Sequence, residues 1–205
     1  MPTLISNYLS VAKNPNGFEP VPYSNLLNEA QNIKLNIQPG KTYFVRIVSM
    51  AAFSASWLHF DQHEMTIIEI DGVYTKEKTV DSIYVTAAQR YSVLIKAKPT
   101  ASKNYAFISS FDLSMFNKPF VQNPQLNPNV TGYLVYNSYA PLPHELSVPG
   151  FNTVDDFTLT PLDGEPLLEN PDKIITIDFE FTTQFGQNRY DMLYSLALWL
   201  SLTIP

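Results

Sequence analysis

The chain has 205 residues, 45% of them apolar, enough for one sizeable core in a single large domain or in one domain with extensions. A formal charge of −6 argues against a nucleic-acid partner, because binding a phosphate backbone needs a surplus of lysine and arginine. With no cysteine, the chain can form no disulfide, no thiolate-ligated copper, no zinc ribbon and no thiol nucleophile. Thirteen phenylalanines and twelve tyrosines favour strands, and sixteen prolines against seven glycines point to ordered loops and few long helices.

In chain order, residues 1–30 are rich in proline and asparagine. They predict an extended lead-in with turns at Asn14-Pro15 and Asn16-Gly17. The first ten residues lack the charged start and apolar run of a secretory leader. Residues 31–186 predict one β domain. Ile33, Leu35 and Ile37 alternate with polar residues, as in a half-buried strand. Pro39-Gly40 predicts a turn. Lys41 to Ser49 predicts a strand with Tyr43, Val45 and Ile47 on one face and Phe44, Arg46 and Val48 on the other. With only Arg46 polar inside it, both faces are expected to be partly covered. Ser56 to Phe60 predicts a third short strand.

The densest β signal follows. Thr66 to Ile70 is rich in β-branched residues, and Asp71-Gly72 supplies the positive φ angles of a tight hairpin turn. Ser82 to Thr86 is expected next, after a short polar link, and then Ser92 to Ile95. Further strands are predicted at Asn104 to Ser110, Thr131 to Tyr136 and Lys173 to Phe181. A long loop spans 111–130, Ala140 to Pro143 opens a linker, and a short helix or turn falls within 151–159. About eight or nine short strands spaced near ten residues apart mean a sandwich or small barrel. Residues 187–205 break the alternation and read as a divergent tail; its apolar stretch, 192–205, is shorter than the roughly 20 residues a membrane span needs.

Few residues carry obvious chemistry. His59 and His63 are four apart, which on a helix could seat a metal, but at a strand end the two side chains do not converge. The expectation is a packed His63 bonded to backbone in the loop, a His59 on the strand surface or in packing, and an exposed His144. Glu64, Glu69 and Asp71 read as a solvated face plus a turn residue, and Asp155-Asp156 as the cap of a short helix or turn. Asn129-Val130-Thr131 is the one glycosylation sequon, which makes Asn129 a candidate for modification on a surface loop.

The segments HEMTIIEIDG (63–72) and VDSIYVTAAQRYSVLI (80–95) resemble the second cupredoxin domain of multicopper oxidases, most nearly that of the fungal iron-transport ferroxidases, which share a fold with laccases. The resemblance runs from about Pro2 to Gly186 and implies an all-β, Greek-key cupredoxin-like sandwich. It implies a copper-free spacer: the family's copper ligands lie in the first and third domains, so this chain is expected to bind no cofactor itself and to be inactive alone. By the same resemblance, Glu19 in the segment NPNGFEP is expected to help bind ferrous iron. Asp112 in FDLSMFN keeps the acid of a second iron-path loop, while Leu113 and Asn117 depart from its acidic character. The implied partners are flanking cupredoxin domains, ferrous iron and an iron permease. The implied location is the extracytoplasmic face of a plasma or vacuolar membrane. The tail suggests a truncated or frame-altered product. A second reading of the same pattern is a non-enzymatic β-sandwich module for adhesion or carbohydrate binding.

Overall fold

The computed structural model describes residues 22–100, 102–116, 126–165 and 173. All but Lys173 fall within one compact unit, Val21–Glu165. The lead-in carrying Glu19, the predicted strand from Lys173 to Phe181 and the tail 187–205 lie outside the described residues.

Nine strands are present among the described residues: β1 (Lys34–Asn36), β2 (Thr42–Val48), β3 (Ser56–Phe60), β4 (Met65–Ile70), β5 (Val73–Val80), β6 (Ser82–Val85), β7 (Arg90–Lys96), β8 (Tyr105–Phe111) and β9 (Asn129–Val135). They form two sheets, ordered β1-β9-β8-β3-β6 and β2-β7-β4-β5. Only the β1–β9 pair is parallel; the others are antiparallel. The expected all-β sandwich is therefore what the chain forms. Alternation does the work: Leu58, Phe60, Ile83, Val85 and Phe107 from the five-stranded sheet meet Met65, Ile67, Val93 and Ile95 from the four-stranded one in a single buried cluster. Each such side chain, fully buried, contributes about 1.5–3 kcal/mol of transfer free energy.

The Asp71-Gly72 turn has φ angles of 51° and 92°, the pair that a two-residue hairpin connection requires. Asp71 also ties the turn to β7. Its Oδ1 accepts from the Arg90 backbone N–H at 2.9 Å, and its own N–H donates to the Arg90 carbonyl at 3.0 Å. The Arg90–Asp71 ion pair at 3.1 Å is half exposed on both sides and adds little beyond these bonds.

Three expectations need correction. First, the partner of β4 across the turn is β5, not the strand at Ser82. Val73–Val80 carries Lys76, Glu77 and Lys78 and buries only Thr75, so it has no apolar period to betray it. Second, β6 belongs to the other sheet. The chain crosses the sandwich at Asp81, and β6 pairs with β3, bringing Trp57 opposite Tyr84. Third, β2 is not covered on both faces within the described residues: Phe44 is 46% exposed and Val48 58%. The Arg46 guanidinium lies 4.9 Å above the Phe44 ring and covers it only in part.

The stretch after β9, expected as a linker, is a strap along two sheet edges. Ser82 forms a bridge with Thr153 on the open side of β6, and its hydroxyl lies 2.8 Å from the Asn152 carbonyl. Farther on, Lys76 N–H donates to the Thr160 carbonyl at 2.9 Å and Leu162 N–H to the Tyr74 carbonyl at 2.8 Å, which closes part of β5. Edge strands left open invite pairing with other chains, so this strap protects the two edges it covers. Among the described residues, no helix is long and apolar enough to cross a membrane.

Candidate functional site

Asp112 sits where β8 ends and a short 3₁₀ turn, Leu113–Met115, begins. The Asp112 N–H donates to the Ala55 carbonyl at 2.9 Å, which pins the turn beside the start of β3. Its Oδ1 accepts from the Ser114 N–H at 2.9 Å and the Ser114 hydroxyl at 2.6 Å, capping the turn. Its Oδ2 accepts from the Tyr84 hydroxyl at 2.7 Å. The residue is 9% exposed. Burial pushes its pKa up, but the Ser114 and Tyr84 bonds together outweigh burial and hold the carboxyl below its ordinary range. Tyr84 moves the other way, to about 12, through its own burial first and then the bond and charge of Asp112. The result is an ionised carboxylate beside a firmly protonated phenol.

Around this pair the structure gathers sulfur and aromatic groups. Met115 Sδ is 3.8 Å from the Tyr84 hydroxyl and accepts from the Ala55 N–H at 3.2 Å. Trp57 and Tyr84 have ring centroids 5.3 Å apart, and Phe151 from the strap stacks on Trp57 at 5.5 Å and 2°. None of this neighbourhood is legible in sequence spacing, because Tyr84, Asp112 and Phe151 come from three separate parts of the chain.

The histidines are engaged elsewhere. His63 is 3% exposed. Its Nδ1 lies 2.7 Å from the Asp61 carbonyl, which can only accept, so Nδ1 carries the proton. Nε2 therefore accepts from the Tyr136 hydroxyl at 2.7 Å, and that oxygen accepts from the Lys98 N–H at 2.9 Å. His59 Nδ1 donates to the Asp81 carbonyl at 2.8 Å. His144 is exposed on the strap. Among the described residues no group of three or more histidine, aspartate or glutamate side chains is placed to hold a metal. A copper site of the blue type wants a thiolate and two free imidazoles. With no cysteine and with His63 bonded through both ring nitrogens, the donor set present does not fit one.

The His63 arrangement gives a pH prediction. Burial is the largest influence and lowers its pKa below 6.5. The Asp61 carbonyl opposes that, nearby Lys98 reinforces it, and the Asp61 charge again opposes. Below pH 6.5 the unfolded chain therefore holds more protons at this site than the folded one. The stabilisation is complete above that value and is lost as pH falls from it towards the lower folded value. Urea midpoints are expected to drop between about pH 7 and pH 5.5, and His63→Gln should flatten that dependence. Equal slopes for the two proteins over this window would contradict the assignment.

Glu69 Oε2 accepts from the Ser92 hydroxyl at 2.6 Å, Asp155 caps the 3₁₀ turn Asp156–Thr158, and Asp156 Oδ2 accepts from Gln89 Nε2 at 2.9 Å. Asn129, at the start of β9, is exposed, and its Oδ1 accepts from the Ser110 hydroxyl at 2.7 Å. It borders a polar hollow lined by Gln31, Asn32, Asn127, Thr131 and Glu145.

Comparison with known proteins extends this picture. Residues 1–139 match the family model described as multicopper oxidase. The iron transport multicopper oxidase fetC of Epichloe festucae is 43% identical over 176 residues, 86% of this chain and 28% of that protein. The iron transport multicopper oxidase FET3 of Saccharomyces cerevisiae is 39% identical over 176 residues, 85% of this chain and 27% of that protein. The crystal structure of Fet3p, a multicopper oxidase that functions in iron import, superposes with a TM-score of 0.79 at 36% identity, covering 88% of this chain and 34% of that one. A laccase from Botrytis aclada, at 24% identity and a TM-score of 0.52, shares the fold. The chain thus spans under a third of the length of the curated relatives it matches.

Proposed function

This chain belongs to the multicopper oxidase family, and from that premise we propose that it serves as a copper-free spacer domain of a larger iron oxidase. The family uses copper; the donor set described above supports a role here without it. The uncovered face of β2 carries the proposal. Phe44 and Val48 point outward from an edge strand, and Met50 just beyond is 91% exposed. A solvated strand face is ordinarily polar. This one has the composition of a surface built for burial, and the relatives have more than two thirds of their length outside the matched region to bury it. The occupant we assign is a flanking cupredoxin domain. Held between its neighbours, the chain would set their separation while catalysing nothing alone.

In this reading the whole enzyme oxidises ferrous iron and passes the electrons to dioxygen. Glu19 supplies a hard anionic oxygen to iron, which binds Fe(III) more tightly than Fe(II) and so favours oxidation. Asp112 adds a second anionic group on that path; its Oδ1 accepts twice from Ser114 and its Oδ2 once from Tyr84, which leaves Oδ2 a lone pair for a cation. An iron permease as partner and an extracytoplasmic location follow from the same reading. So does a glycan on Asn129, which enzymatic deglycosylation of secreted material would reveal as a mass loss; an unmodified Asn129 in that material would remove it.

The spacer role is tested on the full chain with the double variant Phe44→Ser, Val48→Ser. The expected result is less binding of a hydrophobic dye and less self-association in sedimentation velocity, with the melting temperature nearly unchanged. Unchanged dye binding and association would mean that the β2 face is not a docking surface.

A further inference from the structure

The face of the five-stranded sheet around Tyr84 carries a set of oxidisable side chains that the spacer role does not use. Tyr84 and Trp57 stand opposite each other across the β3–β6 ladder, both half-buried, with centroids 5.3 Å apart. Met115 Sδ is 3.8 Å from the phenol oxygen. The phenol is already hydrogen-bonded to a carboxylate at 2.7 Å.

This arrangement has a specific chemical consequence. Removing one electron from a phenol makes its O–H strongly acidic. Without a base in contact, a half-buried tyrosine must pass through a radical cation, which a low-dielectric site disfavours. A carboxylate in a short charge-assisted hydrogen bond takes the proton in the same step. Asp112 is suited to this, because Ser114 donates twice to its other oxygen and leaves Oδ2 facing the phenol alone.

We propose that Tyr84 is a redox-active tyrosine, oxidised by an outer-sphere one-electron oxidant while Asp112 Oδ2 receives the phenolic proton. The electron leaves to the oxidant, the O–H bond of Tyr84 breaks, and an O–H bond forms on Asp112. The products are a neutral tyrosyl radical, a neutral carboxylic acid and the reduced oxidant. Trp57 and Met115 border the phenol. A one-electron reductant such as ascorbate returns the electron, and Asp112 returns the proton. The oxidant approaches through solvent, so the inference stands apart from the spacer reading.

Tyr136 is the rival, since its hydroxyl also faces a base, His63 Nε2, at 2.7 Å. Tyr136 is more enclosed, at 9% exposed, and the rings recorded against it among the described residues are those of His63 and Tyr105.

The test is photo-oxidation of the full chain with a ruthenium tris-bipyridine sensitiser and persulfate, freeze-quenched and read by electron paramagnetic resonance. Tyr84→Phe should diminish the tyrosyl signal, with the exposed Tyr23, Tyr74 and Tyr139 supplying the remainder, and circular dichroism confirming the fold. Asp112→Asn keeps the shape but removes the base. It should lower the radical yield and abolish the solvent deuterium isotope effect on the oxidation rate seen in the unsubstituted chain. Should Asp112→Asn fail to fold, Ser114→Ala, which frees Asp112 from one partner, is expected to keep the Tyr84 radical and its isotope effect. A signal undiminished in Tyr84→Phe, or one lost in Tyr136→Phe instead, overturns the proposal. So does an isotope effect absent from the unsubstituted chain.

Discussion

Replacing Gly132 with alanine is expected to destabilise the domain by about 3 kcal/mol, at the upper end of the range for forced overpacking. Gly132 on β9 lies directly opposite Phe107 on β8. A Cβ at Gly132 would press closest on Phe107 Cζ and would stand 2.6 and 2.8 Å from Cε1 and Cε2. The ring has little room to retreat, because it is 2% exposed and stacks on Phe60 at 4.8 Å. Glycine to alanine at an unstrained site usually stabilises, through the entropy of the unfolded chain. The sign is therefore diagnostic. A urea midpoint that rises or stays put would show that the Phe107 ring can move aside.

Loss of the Asn104 side chain is the second large effect. This residue, 4% exposed, joins the start of β8 to the strap. Its Oδ1 accepts from the Tyr136 N–H at 2.9 Å and the Asn137 N–H at 3.0 Å. Its Nδ2, with two hydrogens, is shared among the carbonyls of Asn137, Ala140 and Pro141 at 3.0, 3.0 and 3.2 Å. Asn104→Ala strands several backbone groups at once. Each net hydrogen bond is worth about 1 kcal/mol and each buried orphan costs more, so a loss of about 3 kcal/mol is expected. Hydrogen exchange should also quicken across 137–162, where the strap lets go. A loss below about 1 kcal/mol with unchanged exchange would show that the strap is held by its β5 and β6 contacts alone.

Both effects bear on what a sequence can disclose. The alternation of Ile33 to Ile37, the β-branched run at Thr66 to Ile70 and the Asp71-Gly72 turn are local signals, and each appears in the fold where its physics puts it. β5 was hidden because an edge strand facing water carries charges and no apolar period. The crossing at Asp81 was hidden because strand adjacency in sequence says nothing of which sheet a strand joins. Asn104 and Gly132 look like ordinary strand residues until the Asn137 loop and the Phe107 ring are placed against them. The backbone-bonded His63 was legible from its setting at a strand end, while its Tyr136 partner, 73 residues away, was not. Asp112 was legible as an acid in a loop; the bond from Tyr84 that fixes its orientation was not.

Copper stoichiometry tests the central claim most directly. The full chain, loaded with cuprous or cupric ion, dialysed against a weak chelator and analysed by mass spectrometry for metal, is predicted to retain no stoichiometric copper, and its circular dichroism should match that of the untreated protein. Retention of one tightly held copper per chain, or blue absorbance on loading, would contradict the account of this domain as a spacer.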